Sequence, residues 1–543
     1  MALLAAIALA SSASAKVGFH APVTLPHSTD GTEPSIAISA KGIRYPSWQV
    51  PGQFAVSLDG IHFTQKGITP VPDQTGSGDV SNAVDRAGAI YNGQICGNVL
   101  NELHSCVYRS TDGGRTWRET QLADNNPGAS DRPWIAVYSD PKAPQNPDRD
   151  TVYLEYHTFT PDDLTYVTVS RDGGATFGLP IPLPNTIPSA NGSACNTYPG
   201  GVVVDQSDGT VYAVWNSGND AFANTASGCN YTSLGPFTKA WVATSTDGGA
   251  SWSAHLAWQG RYDPSSNIGD DNDMGFVSIA VDRAHEVHVM MSVRQHNDPV
   301  QYAAECAANP ACTQTPQVTD LEVVTSPDRG RHWTPAFDLS LHRGSYFFPY
   351  AAAGSGGRVA VDYYLTPSLR PNDPKDLWHV GFSEVRGAVA RVVGTRAQYI
   401  KRPQVVVEEH LDPNPVHRGG ICTLGIFCPV VPNSNRNLAD NIALAVTPAG
   451  GAEAAWTNDF NPKATTRVDY ACQNAGTSLY AGHPALRGCF GQHLPGSPHP
   501  SHHHPAPGRR HHRPAHHRSK HHHRSRHRHP SRRPRRRSRG FTG

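Results

Sequence analysis

The chain has 543 residues, with 46 Lys plus Arg, 45 Asp plus Glu, 29 His and a formal net charge of +1. The balance hides a split: from His493 onward there are 14 Lys plus Arg, 14 His and no acidic residue, leaving 32 basic against 45 acidic residues in the rest. An acidic globular body is joined to a basic tail, and no internal run is long and apolar enough to predict a membrane span.

Residues 1–15 form a short apolar segment ending in Ala13-Ser14-Ala15, a small-residue cleavage site. They are expected to be an export signal without its basic n-region, with a start further upstream as the alternative. The segment Val17 to Leu25 reads as a strand able to pair with the last sheet and cover its open edge. From Pro34 a pattern then repeats: an apolar strand, a turn holding Asp or Gly, and a second apolar or aromatic strand. The copies start at Pro34, Ser81, Pro133, Gly200, Phe276, Pro349 and Asn441, seven strand pairs in all. Such short Val- and Ala-rich runs suit buried sheet strands, and no helical period competes with them. The stretches Pro367 to Lys375 and Arg402 to Val431, rich in Pro and charge, read as surface loops.

Four of the strand pairs are followed by copies of one octet: STDGGRTW (Ser110, Asp112, Gly114, Trp117), SRDGGATF (Ser170, Asp172, Gly174, Phe177), STDGGASW (Ser245, Asp247, Gly249, Trp252) and SPDRGRHW (Ser326, Asp328, Gly330, Trp333). The starting serines are 60, 75 and 81 residues apart, the spacing of a module of several strands. A shortened copy, SLDGIHF, starts at Ser57. Ser and Asp side chains bond nearby backbone N–H groups, Gly accepts positive φ, and the aromatic tucks under the turn, so the octet is read as structural.

These octets resemble the Asp-box, or BNR repeat, of sialidase-like β-propellers. The resemblance implies an all-β, sialidase-like β-propeller of six or seven four-stranded blades, seven favoured, over residues 16–491, followed by a disordered tail over 492–543. In that family the boxes mark the face away from the active centre. The other face then collects Asp79, Asp131, Arg132, Trp134, Tyr198, Asp273, Tyr350, Arg436 and Asp440 from strand starts. Strand ends add Glu155, Tyr156, His157, Trp215, Asn216, Arg294, His296, Tyr363, Tyr364, Trp456 and Asp459. A mouth of that composition suits a sugar, with Trp134, Tyr156, Trp215 and Trp456 as stacking candidates.

Sialidases grip a substrate carboxylate with three arginines and use an Asp acid and a Tyr nucleophile assisted by Glu. The resemblance transfers these roles to Arg132, Arg294 and Arg436, to Asp131 or Asp79, to Tyr363 or Tyr364, and to Glu155. The family's first arginine precedes a proline at the entry to the first blade. When Pro34 is aligned with that proline, Thr32 and Glu33 stand where Arg and Ile belong, while the Arg44-Tyr45-Pro46 sequence comes only after the strand. This departure counts against sialidase chemistry.

Ten cysteines fall into sequence neighbours, giving expected disulfides Cys96–Cys106, Cys195–Cys229, Cys306–Cys312, Cys422–Cys428 and Cys472–Cys489. The acidic run holding Asp271 and Asp273 offers oxygen ligands for calcium, with loop capping as the alternative, and no cofactor is required. No nucleophile elbow, His-Glu-x-x-His or phosphate-binding glycine loop is present. The expected function is a secreted monomer that recognises an extracellular or cell-surface glycan at the central mouth. The alternatives are an exo-α-sialidase-like glycosidase and a structural or protein-binding propeller. The tail would hold an anionic surface polymer, bind metal through its His runs, or bind nucleic acid nonspecifically.

Overall fold

The computed structural model describes residues 16–489, apart from 51, 69–77, 98–102, 127, 159–161, 163, 189–196, 219–236, 264–267, 273–274, 298–317, 369–372, 423–433, 462 and 464. Residues 1–15, expected as an export signal, and the tail thus lie outside the described residues. Six antiparallel sheets of four or more strands dominate the fold. Sheet I is Val80–Val84, Ile90–Gly97, Leu103–Ser110 and Arg118–Thr120, and sheet II is Ser130–Tyr138, Thr151–Thr158, Thr165–Ser170 and Ile181–Pro182. Sheet III is Thr197–Val204, Val211–Gly218, Phe237–Ser245 and Ser253–Gln259. The core of sheet IV is Ser278–Val281, Val287–Asn297, Thr319–Ser326 and Phe337–Asp338. Sheet V is built on Ser345–Ala353, Arg358–Thr366, Leu377–Arg386 and Gln404–His410, and sheet VI on Ala443–Val446, Ala452–Asn458 and Arg467–Gly476.

The sheets are the blades of a β-propeller, each with its first strand innermost. Neighbouring inner strands are stitched by hydroxyls: Ser35 Oγ accepts from Asn82 N–H, Ser81 Oγ from Ile135 N–H and Ser278 Oγ from Ala351 N–H, at 2.8–3.1 Å. Between the sheets the core holds Trp215, Trp241, Trp378 and Trp456, all essentially sealed from solvent.

Among the described residues the count of full sheets is six rather than the favoured seven. The strand pair at Pro34 is a short hairpin, Ser35–Ile38 with Arg44–Ser47, packed in the ring between sheets VI and I. Only isolated bridges, Arg44 with Ser57 and Ser47 with Phe54, join it to the ribbon Ala55–Val56 with Thr64–Gln65. Pro46 supplies no ladder donor and the outer strands are two residues long, so no continuous four-stranded sheet forms.

Ring closure follows the sequence expectation. Gly18 and Phe19 pair with Ala475 and Gln473, and Val23 and Thr24 with Tyr470 and Asp469, covering the last sheet's edge. Arg44 completes the seam. Its buried guanidinium donates to Glu453 of sheet VI and to the carbonyls of Gly42, Leu58 and Cys489. Disulfides Cys96–Cys106 and Cys472–Cys489 are formed and Cys422 is disulfide-bonded. Cys195, Cys229, Cys306, Cys312 and Cys428 lie outside the described residues.

All four octets, and the shortened one, make the same turn. In the first, Ser110 Oγ donates to Asp112 Oδ1 at 2.9 Å, while Gly114 N–H donates to Ser110 Oγ at 2.8 Å. Asp112 Oδ1 also accepts the N–H groups of Arg115 and Thr116. Ser170 with Asp172, Ser245 with Asp247, Ser326 with Asp328, and Ser57 with Asp59 repeat the Ser–Asp bond and the glycine bond to serine. The serine hydroxyl and the aspartate carboxylate of each copy are used in the turn, as expected. Among the described residues no helix is long and apolar enough to cross a membrane.

Candidate functional site

The face away from the octet turns is organised by the entries to the inner strands. Three entries are X-Pro steps with the preceding residue at positive φ: Glu33 (46°), Arg132 (52°) and Phe348 (56°). That region is sparsely populated for non-glycine residues and is further disfavoured before proline, so packing must enforce it. Its effect is to turn Glu33 and Arg132 into one buried cluster.

Arg132 Nη1 donates to Glu33 Oε2 at 2.8 Å and lies 3.6 Å from Asp79 Oδ2. Glu33 Oε1 accepts Asp440 N–H at 3.0 Å, and Asp440 is forked by Arg436 through both terminal nitrogens at 2.5 Å. Asp131 is hydrogen-bonded to Asp79. The faces of the Arg132 guanidinium are covered by Trp134 and Phe276, at 4.5 and 4.8 Å from the ring centroids. Four carboxyl groups thus surround two arginines. Glu33, Asp79, Arg132 and Asp440 form the buried floor, while Asp131, Tyr198 and Arg436 are half-exposed above it.

The charges in this cluster separate by environment. Burial, reinforced by the nearby Asp79 charge, pushes both Glu33 and Asp131 well above the usual carboxylate range. Asp79 is also opposed by burial, but attraction to Arg132 and hydrogen bonds from Glu33 and Asp131 hold it low. The two carboxyls are thus pushed in opposite directions, Asp131 up and Asp79 down. Burial raises the Tyr198 phenol, and the Asp440 charge adds to it.

Beneath the cluster, Trp134 packs edge-on to Phe276 and tilted against Tyr350 at 6.1 Å, and Tyr198 stacks on Phe276 at 4.9 Å. A cavity of about 10 Å³, lined by Trp134, Phe276, Tyr350, Asp440 and Asn441 among others, leaves room for roughly one water. On the other side of Tyr350 the ring holds an open channel of about 330 Å³ lined by the inner strands. An aromatic layer therefore closes the axis just below the acidic and basic residues.

Several sequence candidates lie elsewhere. Arg294 is bound to Asp271 by Nε and Nη2 at 2.9 and 2.8 Å within sheet IV and does not enter the Arg132–Arg436 cluster. Tyr363 is buried in the core of sheets IV and V, its hydroxyl 2.6 Å from Ser383 Oγ. Tyr364 instead exchanges bonds with the Thr457 backbone. Glu155 is fully buried and accepts Gly201 N–H at 2.9 Å, and burial holds its carboxyl well up. The expected Tyr–Glu nucleophile pair is not assembled. Tyr156 donates to the Asp124 carbonyl and stacks on Tyr166, while Trp215 and Trp456 are core residues. Of the four stacking candidates, only Trp134 reaches the cluster. In the acidic run Asp270 and Asp271 are engaged by Arg261 and Arg294, so these carboxylates face cationic side chains; Asp273 lies outside the described residues.

The sequence reading placed no role on Glu33, Asp362, Phe276 or Phe348. Asp362, paired with Tyr350 across the first two strands of sheet V, is completely buried with neither oxygen hydrogen-bonded. Burial holds its carboxyl well above normal. The repeated X-Pro entries Glu33-Pro34, Arg132-Pro133 and Phe348-Pro349 were the signal that aligns Glu33 with Arg132.

No family model matches the chain, and no curated protein matches it. Solved structures do align with it at low identity. A polysaccharide lyase of family PL25, an ulvan lyase bound to -[GlcA(1-4)Rha3S]-, has 12% identity and a TM-score of 0.42, covering 86% of this chain and 95% of its own. A single-site mutant of NanB sialidase from Streptococcus pneumoniae has 8% identity and a TM-score of 0.37, covering 80% and 84%. A Penicillium chrysogenum alpha-L-arabinanase complexed with arabinobiose has 11% identity and a TM-score of 0.36, covering 86% and 98%. Likeness of this degree assigns no chemistry to the chain, whose reading rests on its own residues.

Proposed function

We propose that this propeller recognises a glycan at the mouth formed by Asp131, Tyr198, Arg436 and the Glu33–Arg132–Asp79–Asp440 floor. The observation that carries this reading is the pairing of Arg132 with Glu33. An arginine already bonded to buried Glu33 and facing the Asp79 carboxylate is poorly suited to gripping a substrate carboxylate. A half-exposed rim of acid, phenol and guanidinium instead offers both acceptors and donors to sugar hydroxyls. The preferred ligand is accordingly a neutral, hydroxyl-rich sugar.

Cleavage of a glycosidic bond is the second reading, favoured by Asp131. A carboxyl that burial pushes well up, beside an Asp79 carboxyl held low, is the arrangement a general acid needs. With Tyr363 and Glu155 occupied elsewhere, the sialidase nucleophile is not the basis of this reading. Export of a monomeric body over residues 16–491, and electrostatic attachment of the tail over 492–543 to an anionic surface polymer, complete the proposal.

The experiment is a glycan array probed with the full-length protein, followed by turnover assays on any sugar that binds. Retention of neutral glycans, lost in Asp131→Asn and Arg436→Ala, supports recognition; turnover lost in Asp131→Asn supports the second reading. Silence on the array and in the assays would favour a structural or protein-binding propeller.

A further inference from the structure

A second group of chemically capable residues lies on the octet face, in the turn joining the first two strands of sheet IV. Asp282, Glu286 and His288 are 3%, 5% and 0% exposed. One ligand atom from each lies within 4.8 Å of the others. His288 Nε2 is 3.1 Å from Asp282 Oδ2, longer than usual for a charge-assisted N–H···O bond and close to the edge of a tetrahedral site with ligands at about 2.0 Å.

The surroundings fix the three groups without exhausting them. Asp282 Oδ1 accepts the N–H groups of Ala284 and Glu286, which shapes the turn, while Oδ2 accepts Gly357 N–H from sheet V at 2.7 Å. His288 Nδ1 faces Thr325 Oγ1 at 3.0 Å. Donation from Nδ1 to this hydroxyl would leave the Nε2 lone pair pointing at Asp282, the second-shell arrangement that orients a metal-binding imidazole. Glu286 Oε1 accepts Ala390 N–H at 2.8 Å, but Oε2 is buried and makes no hydrogen bond. Two buried carboxylates therefore meet one imidazole, and no Lys or Arg forms an ion pair with either among the described residues.

We propose that Asp282 Oδ2, Glu286 Oε2 and His288 Nε2 bind a divalent first-row cation such as Zn²⁺ or Mn²⁺, as a structural clamp on the octet face. One nitrogen and two carboxylate oxygens are a donor set suited to these ions. The cation would satisfy the orphaned Glu286 oxygen and offset the buried negative charge. It would also tie the sheet IV turn to the Gly354–Arg358 turn of sheet V and to the ribbon beginning at Ala390, both already hydrogen-bonded to its ligands. This site is separate from the acidic run at Asp271 and from the mouth.

The test is a thermal-unfolding series on the full-length protein, stripped with EDTA and titrated with Zn²⁺ or with Mn²⁺. Histidines from His493 onward offer imidazoles to the same ions, so the readout is the unfolding midpoint, which rises only where the folded state binds more tightly than the unfolded one. The midpoint is expected to rise saturably with one of the ions in the wild type and to stay flat in Glu286→Gln. Thr325→Val, nearly isosteric and leaving all three ligands in place, should shift the half-saturating concentration upward by roughly 10–100-fold. A wild-type midpoint indifferent to both ions would overturn the proposal, as would an equal response in Glu286→Gln and Thr325→Val; the group would then be a buried Asp–His hydrogen bond only.

Discussion

Arg132 and Glu33, 99 residues apart, join the entry of sheet II to the hairpin that completes the ring, through a buried 2.8 Å bond. Each is the residue before a proline, and each is held at positive φ so that its side chain turns into the axis. Their pairing decides how the mouth can be used. It commits the arginine to an internal hydrogen bond beside Asp79 and leaves Asp131, Tyr198 and Arg436 to meet a ligand.

Removing Glu33 should be far costlier than neutralising it. Glu33→Ala leaves the Arg132 Nη1 donor and the Asp440 N–H buried without their acceptor, and is expected to cost about 2–5 kcal/mol. Glu33→Gln resembles the protonated form that burial already favours and should cost about 1 kcal/mol, the scale of one ordinary hydrogen bond. Urea unfolding of the two variants checks the ordering; equal losses would contradict the cluster as described.

Arg44 should behave as a seam residue. It and Glu453 are each 1% exposed in side-chain area, so Arg44→Ala leaves a buried carboxylate, with an expected loss of about 3–5 kcal/mol. Thermal unfolding measures the loss, and glycan binding by the folded fraction should be unchanged.

Asp362 sets a pH dependence of known sign. Its carboxyl binds a proton more tightly when folded than when unfolded, where its pKa is about 3.9. The stabilisation from protonation is therefore full below about pH 4 and is lost as pH rises through the raised folded value. Asp362→Asn should unfold at a temperature close to wild type at pH 4 and at a higher one at pH 8. Parallel curves across that range would show that burial does not govern this group.

The octet carboxylates have the opposite sign. Burial raises Asp172, but hydrogen bonds from Thr176, Ser170 and Ala175 outweigh it and bring it down to about 2. Its contribution is present above about pH 4 and is lost as the pH falls towards 2. Asp172→Ala should cost about 1–2 kcal/mol at pH 7, similar to loss of a helix cap. That difference should shrink in unfolding measured near pH 2.

Much of this fold was legible because its signals are local. Ser110, Asp112 and Gly114 make their turn from bonds within one octet, and the Val17 to Leu25 segment could be assigned because a ring needs its last edge covered. The sheet count was less legible: the Pro34 strand pair has the right apolar pattern, but Pro46 and the shortened outer strands limit its pairing. The site was legible only in part. Arg132, Asp131, Trp134 and Arg436 do meet, but Tyr156, Trp215 and Trp456 alternate into the core, because a strand-end position does not by itself say which way a side chain turns. Glu33 was hidden by a reference pattern that expects Ile there, and Asp362 by its flanking run of apolar and aromatic residues, Val359 to Leu365.

The most direct test of the mouth's role is titration of the full-length protein with neutral and sialylated forms of the same oligosaccharide, monitored by calorimetry in wild type and Asp131→Asn. The account predicts heat of binding with the neutral sugar, at least tenfold weaker in the variant, and no gain in affinity from the sialic acid carboxylate. Tighter binding of the sialylated form, abolished by Arg132→Ala in a protein that still folds, would contradict the assignment of Arg132 to Glu33.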